Sequence, residues 1–278
     1  MARRALLIGI NRYLIPGADL RGCVNDVKNV RAALLKYCAF RGSDIKVLTD
    51  LAGSKKAMQA GIKALVGSGN RGDVLYLHYS GHGSNVPDKN GDEADHRDEI
   101  LCPSDLDWKD PLTDDWLRTE FNKLKSGVNL TVVMDCCHSG TNTRAILPPD
   151  APVIPRYLPN PWDLMAEESR RVLRGKVRGT RSHAARKRGD VVEAEIGETL
   201  ITGCRATQTS ADAYIGRAYN GALTYSLVAA LQAARGRLTN RELHTATLQR
   251  LKAGDFDQVP QLEGRRSALD RPFLASLD

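Results

Sequence analysis

Cys137 lies in the run Thr131-Val132-Val133-Met134-Asp135-Cys136-Cys137-His138-Ser139-Gly140, and His82 in Val74-Leu75-Tyr76-Leu77-His78-Tyr79-Ser80-Gly81-His82-Gly83. Each follows an apolar run that reads as a buried strand. In open α/β sheets the reactive crevice lies beyond the carboxyl ends of parallel strands, so a thiol and an imidazole placed there are expected to meet. A thiol with an ordinary pKa of about 8.5 is mostly protonated at neutral pH, and a neighbouring imidazolium favours the thiolate that attacks a peptide carbonyl. The same ring can then protonate the leaving amine. Backbone N–H groups of Gly83 and Cys137 are the candidate oxyanion donors, since the glycine-rich turns allow close approach. Peptide hydrolysis by a cysteine nucleophile is the chemistry this pattern predicts. Cys136 reads as a small buried hydrophobe. A zinc site from Cys136, Cys137 and His138 is the weaker alternative, because adjacent residues point to opposite faces and structural zinc ligands are usually spaced.

The elements that must position these groups follow an alternating pattern. Strands are expected at Ala5–Ile10, Ile45–Leu48, Val74–Ser80, Leu130–Asp135 and Thr199–Gly203, and helices at Val24–Tyr37, Lys55–Leu65, Asp115–Leu124, Ala222–Ala234 and Asn240–Lys252. Such alternation predicts an α/β fold, a mostly parallel central sheet with helices on both faces. The last helix opens on Thr239-Asn240-Arg241-Glu242, which has capping-box spacing. From Leu147 to about Asp190 the pattern fails, with six prolines (148, 149, 152, 155, 159 and 161) followed by a basic run. Too little apolar surface is available there to offset ordering entropy, so a mobile linker is expected over 147–190, between a larger part at 1–146 and a smaller part at 191–278.

The chain of 278 residues, 42% of them hydrophobic, can bury a sizeable core. Nine basic residues and no acid lie between Arg170 and Arg188; removing those nine from the net charge of +7 leaves −2 for the rest, so the basicity belongs to one segment. It carries no aromatic for base stacking, which argues against a nucleic-acid-binding protein. The apolar start is cut short by Asn11 and Arg12 and reads as a first strand instead of a signal peptide. No segment approaches the roughly 18 apolar residues of a membrane helix. Six cysteines without a secretion signal are expected to be reduced thiols in a cytoplasmic protein.

Tyr79-Ser80-Gly81-His82-Gly83, Asp135-Cys136-Cys137-His138-Ser139-Gly140 and Gly22-Cys23-Val24-Asn25-Asp26 together resemble the metacaspases, including the bacterial orthocaspases, within the caspase-like clan. The similarity continues through Gly203-Cys204-Arg205-Ala206 and Tyr219-Asn220-Gly221-Ala222. The resemblance implies a caspase-like fold, His82 and Cys137 as the catalytic pair, and cleavage after Arg or Lys. It also implies that Cys23, Asp26, Ser80 and Asp135 form the pocket for the residue preceding the cut. A desolvated cationic side chain needs such carboxylates, whereas a pocket for aspartate would need arginines. Ser210-Ala211-Asp212-Ala213-Tyr214, with Asn142 and Thr143, are further candidates for the cleft wall. A basic linker is itself a substrate for such an enzyme, so autoprocessing within it is expected.

The loop Asp88–Glu99 packs six carboxylates, hard oxygen donors suited to calcium. Glu93 stands where an EF-hand needs glycine and no helix flanks the loop. The family resemblance instead implies calcium at Asp98, Asp114 and Asp115, with one further ligand position occupied here by Arg144, a cation that would repel the metal or replace its charge. Protein or peptide substrates and a monomeric state are the remaining expectations. A catalytically silent binding scaffold of the same fold is the rival reading.

Overall fold

The computed structural model describes residues 1–88, 96–137, 152–165, 190–194, 196–204 and 208–277. In chain order the elements are β1 (Arg3–Gly9), α1 (Cys23–Tyr37), β2 (Ile45–Thr49), α2 (Lys55–Gly67), β3 (Val74–Ser80), β4 (Gly83–Pro87), β5 (Arg97–Leu101), β6 (Leu112–Thr113), α3 (Asp114–Phe121) and β7 (Asn129–Asp135). They continue with β8 (Val153–Pro155), β9 (Val191–Glu193), β10 (Glu198–Thr202), β11 (Ala211–Ile215), β12 (Ala218–Gly221), α4 (Ala222–Ala233), α5 (Asn240–Ala253) and β13 (Gln261–Gly264).

Seven strands form one sheet in the order β2-β1-β3-β7-β10-β13-β9, parallel from β2 to β10, with β13 antiparallel to β10. The expected α/β architecture and all five expected strands are present, displaced by no more than a residue or two. β3 and β7 are buried at every position, as strands covered on both faces must be. One apolar layer packs Leu6, Ile8, Leu75, Leu77, Leu130 and Val132 with Met58 and Ile62 of α2. On the other face Leu7, Tyr76 and Val133 meet Val30 and Leu34 of α1, and Leu223 and Leu227 of α4. The alternation of side chains along each strand divides these sets. Local signals fix the helix starts: Ser54 Oγ accepts from Ala57 N, Thr113 Oγ1 from Trp116 N, and Thr239 with Glu242 closes the expected capping box at α5.

Two small antiparallel sheets, β4-β5-β6 and β12-β11-β8, flank the carboxyl ends of the central strands. Among the described residues no helix is long and apolar enough to cross a membrane. Residues 152–165, inside the stretch expected to be a mobile linker, are instead packed against the fold: β8 pairs with β11, and Arg156 beyond it is fully buried. The acidic surroundings of Arg156, unrecognisable in the local composition, are the physical reason. The remainder of the expected linker, including the basic run, lies outside the described residues.

Candidate active site

β3 and β7 pair in parallel with Ser80 opposite Asp135, so Gly81-His82-Gly83 and Cys136-Cys137 leave the sheet at the same level. Backbone N–H groups of Gly83 and Cys137 donate to a single carbonyl, that of Arg156, at 3.0 and 3.1 Å. The two expected oxyanion donors therefore converge. Arg156 N–H donates to the Ser210 carbonyl at 2.9 Å, Leu158 N–H to Gly83 O at 2.9 Å, and Ser84 Oγ to Leu158 O at 2.6 Å. With Ile154 opposite Asp212 in the β8–β11 pair, residues 153–158 thread the cleft as an extended strand.

The Arg156 side chain descends into a hollow lined by three aspartates. Its Nη2 lies 2.7 Å from Asp26 and 3.2 Å from Asp212, its Nη1 3.2 Å from Asp135, and Nη1 also donates to Ser80 Oγ at 2.7 Å. All five residues are fully buried. Removing a guanidinium from water costs several kcal/mol, and only paired, hydrogen-bonded carboxylates offset it. Each acid is tied down in turn. Asp26 accepts from Ser80 Oγ and Gly221 N, Asp135 from Thr224 N and Oγ1 and from Ser210 Oγ, and Asp212 from Arg21 N and Gly22 N. Gly221 is required by close approach: a Cβ there would overlap Asp135 and the Arg156 guanidinium. The expected pocket residues Asp26, Ser80 and Asp135 are thus brought together, and Cys23, buried at the first position of α1, lies within range of the same charges.

Asp212, placed only among cleft-wall candidates from the sequence, is the third acid. Arg156 was missed, although an arginine between Ile154-Pro155 and Tyr157, ahead of a basic run, is the signal that could have found it.

Sulfur and ring are not joined. Cys137 Sγ accepts from Ser210 N and lies 3.3 Å from Cys204 Sγ. His82 Nε2 contacts the Ala18 carbonyl at 2.8 Å, its ring lies 5.1 Å from that of Tyr13, and its buried Nδ1 has no hydrogen-bond partner. Burial pushes the His82 imidazole down to about 4, and burial, reinforced by the hydrogen bond from Cys204, pushes the Cys137 thiol well up. Burial beneath residues 153–158 favours the uncharged form of both groups. Forming a thiolate–imidazolium pair requires turning Cys137 toward the ring and admitting water. Burial likewise pushes the Asp26 carboxyl up to about 7 against the opposing pull of Arg156.

Among the expected calcium ligands, Asp98 sits on β5, and Asp114 and Asp115 in the first turn of α3. Asp98 pairs with Val86 of β4 on the middle strand of the β4-β5-β6 sheet, and the pairing of Ile100 with Thr113 brings the start of α3 alongside β5. Among the described residues no group of three or more His, Cys, Asp or Glu side chains is assembled to hold a metal. Arg144, His138, Asn142, Thr143, residues 89–95 of the acidic loop and Arg205–Ala206 fall outside the described residues.

Comparison with known proteins agrees with this geometry. Residues 3–145 match the model of the metacaspase, peptidase C14 domain. A Metacaspase-1 from Pyricularia oryzae is 33% identical over 94% of this chain and 71% of its own length, and one from Candida glabrata is 29% identical over 94% and 72%. The crystal structure of protein GSU0716 from Geobacter sulfurreducens superposes over the full length of both chains with a TM-score of 0.70 and 25% identity. A thiol and an imidazole at adjacent strand ends, two amides on one carbonyl and an ancestry shared along nearly the whole sequence place this chain in the metacaspase family of cysteine peptidases.

Proposed function

We propose that this protein is a cysteine endopeptidase that cuts after Arg or Lys and processes itself at the Arg156–Tyr157 bond. One observation carries the reading. A basic side chain of the chain itself sits among Asp26, Asp135 and Asp212 while its own carbonyl receives Gly83 N–H and Cys137 N–H, the arrangement a substrate needs. In this reading Cys137 Sγ, turned toward His82 and deprotonated by it, attacks the Arg156 carbonyl carbon. The two amides stabilise the oxyanion. The C–N bond to Tyr157 then breaks as His82 returns the proton to the departing amine, and water releases the acyl group. Uncut, residues 153–158 keep other substrates out.

Calcium activation rests on the family resemblance, which implies ligands at Asp98, Asp114 and Asp115, on β5 and in the first turn of α3. Six unbridged cysteines support a reducing, cytoplasmic setting, and the resemblance supports a monomer acting on protein or peptide substrates.

Mass spectrometry of the purified wild-type chain beside Cys137→Ala, incubated with calcium or with chelator, tests the proposal. A new amino terminus at Tyr157 in the wild type alone is expected, and identical intact chains in both would refute self-cleavage. A peptide panel varying only the residue before the cut tests specificity, where preference for Asp would overturn the pocket assignment. Rates unchanged by chelator and by added calcium would remove the metal from the proposal.

A further inference from the structure

Four of the six cysteines belong to the two main apolar layers: Cys23, Cys102 and Cys136 to one and Cys38 to the other. Cys137 and Cys204 belong to neither. They form a separate small cluster with Tyr157, and their sulfurs lie 3.3 Å apart. The backbone accounts for the meeting. β7 and β10 are adjacent and parallel, with Met134 opposite Thr202, so Cys137 and Cys204 follow paired positions by three and two residues. Neighbouring strands lie roughly 4.8 Å apart, within the Cα spacing of about 4.4–6.8 Å that a disulfide spans. Bringing the sulfurs to the bonded distance of about 2.05 Å requires a movement of little more than an ångström.

We infer that Cys137 and Cys204 are a thiol–disulfide pair, closed by a hydroperoxide-class oxidant. The thiolate of Cys137 attacks one oxygen of the hydroperoxide, and the O–O bond breaks. The departing oxygen takes up a proton, leaving Cys137 as a sulfenic acid. Cys204 Sγ attacks that sulfur, the S–O bond breaks, and the hydroxide leaves as water with the Cys204 proton. Two electrons pass from the sulfurs to the hydroperoxide. With residues 153–158 in place Tyr157 covers both sulfurs, so oxidation belongs to the state in which that segment has left the cleft. The disulfide fastens Cys137 on the β10 side, away from His82, and bars the irreversible steps to sulfinic and sulfonic acid. In a reducing compartment such a bond is transient and reversible, as regulatory disulfides are. The loss of activity rests on Cys137 being the nucleophile; the bond itself does not.

The test uses the full wild-type chain after incubation under processing conditions. It is treated with hydrogen peroxide, its remaining thiols are blocked, and it is digested without reductant and mapped by mass spectrometry. The expected product is one linked peptide pair, two hydrogens lighter than the separate peptides, with fragmentation assigning the bond to Cys137 and Cys204. Peptide hydrolysis falls roughly tenfold or more and returns with dithiothreitol, whereas in Cys204→Ala a second equivalent of peroxide carries the Cys137 sulfenic acid to the sulfinic acid and that part of the loss is permanent. Absence of the linked pair, or a bond to Cys136 in its place, would overturn the inference. The same map on Arg156→Ala, in which residues 153–158 lose the ion pairs that hold them over the sulfurs, decides the matter if the wild type stays uncut, so failure of the peptidase reading stays distinguishable.

Discussion

Replacing Arg156 with alanine in a Cys137→Ala background, where no bond is cut, isolates what the guanidinium does for the fold. The substitution removes ion pairs of 2.7, 3.2 and 3.2 Å and leaves Asp26, Asp135 and Asp212 facing one another in a fully buried hollow. Taking one partner from a buried ionic network costs about 3–5 kcal/mol. For a chain of this size each kcal/mol moves the melting temperature by about 2–4 °C, so calorimetry should record a fall of roughly 6–20 °C. The fall should depend on pH. Asp26, with its carboxyl already raised to about 7 and released from the pull of Arg156, can take a proton in place of the cation. A raised carboxyl pKa means that the folded state binds the proton more tightly, so stability is lost as pH rises through about 7. The deficit should therefore be larger at pH 8 than near pH 5.5. Arg156→Lys, which keeps a charge but loses the planar fork, should fall between. Melting temperatures of the two alanine-bearing chains within about 1 °C of each other at pH 8 would refute the view that Arg156 neutralises the hollow.

Three more outcomes follow from the same geometry. Asp135→Asn should lower kcat/KM for peptides cut after Arg by about 100-fold or more, since it breaks a buried charge pair; an equal loss on peptides with a neutral residue there would place the defect outside the pocket. Gly221→Ala should abolish self-cleavage while secondary structure by circular dichroism stays intact, because the added methyl meets Asp135 and Arg156; normal processing would show that the hollow relaxes freely. In the uncut Cys137→Ala chain the His82 ring should stay neutral on titration by NMR from pH 8 to about 5, with a midpoint near 4. The neutral ring favours the covered cleft above its ordinary pKa of about 6.5, and that support is lost as pH falls toward 4; a midpoint near 6.5 would show a solvated ring.

The parts of the fold legible in the sequence are those with long apolar runs. β3 and β7 announce themselves because strands buried on both faces have no polar positions, and the groups that follow them inherit their placement. β13 and β9, of four and three residues with partly exposed side chains, carry no such signal and are held by pairing at the sheet edge. In the hollow, Asp26 and Asp135 are legible through the resemblance their motifs carry, and Asp212 only as part of a candidate wall. The disengaged dyad was unreadable. The groups that hold the two apart, Ser210 and Cys204 on the thiol and Ala18 on the ring, lie far from them in sequence. Local composition likewise made residues 152–165 look like a spacer, because the acids that hold Arg156 come from elements distant along the chain.

The proposed cut falls between the two stretches that supply the acids: Asp26 and Asp135 precede it and Asp212 follows it. Strands on either side of the break remain zipped through the five paired residues of β7 and β10. A nicked molecule would thus persist as a two-chain particle born from one polypeptide, running as two bands under denaturing conditions and as one otherwise. Neither fragment alone would own a complete recognition surface, so the pieces would have to travel together to remain useful.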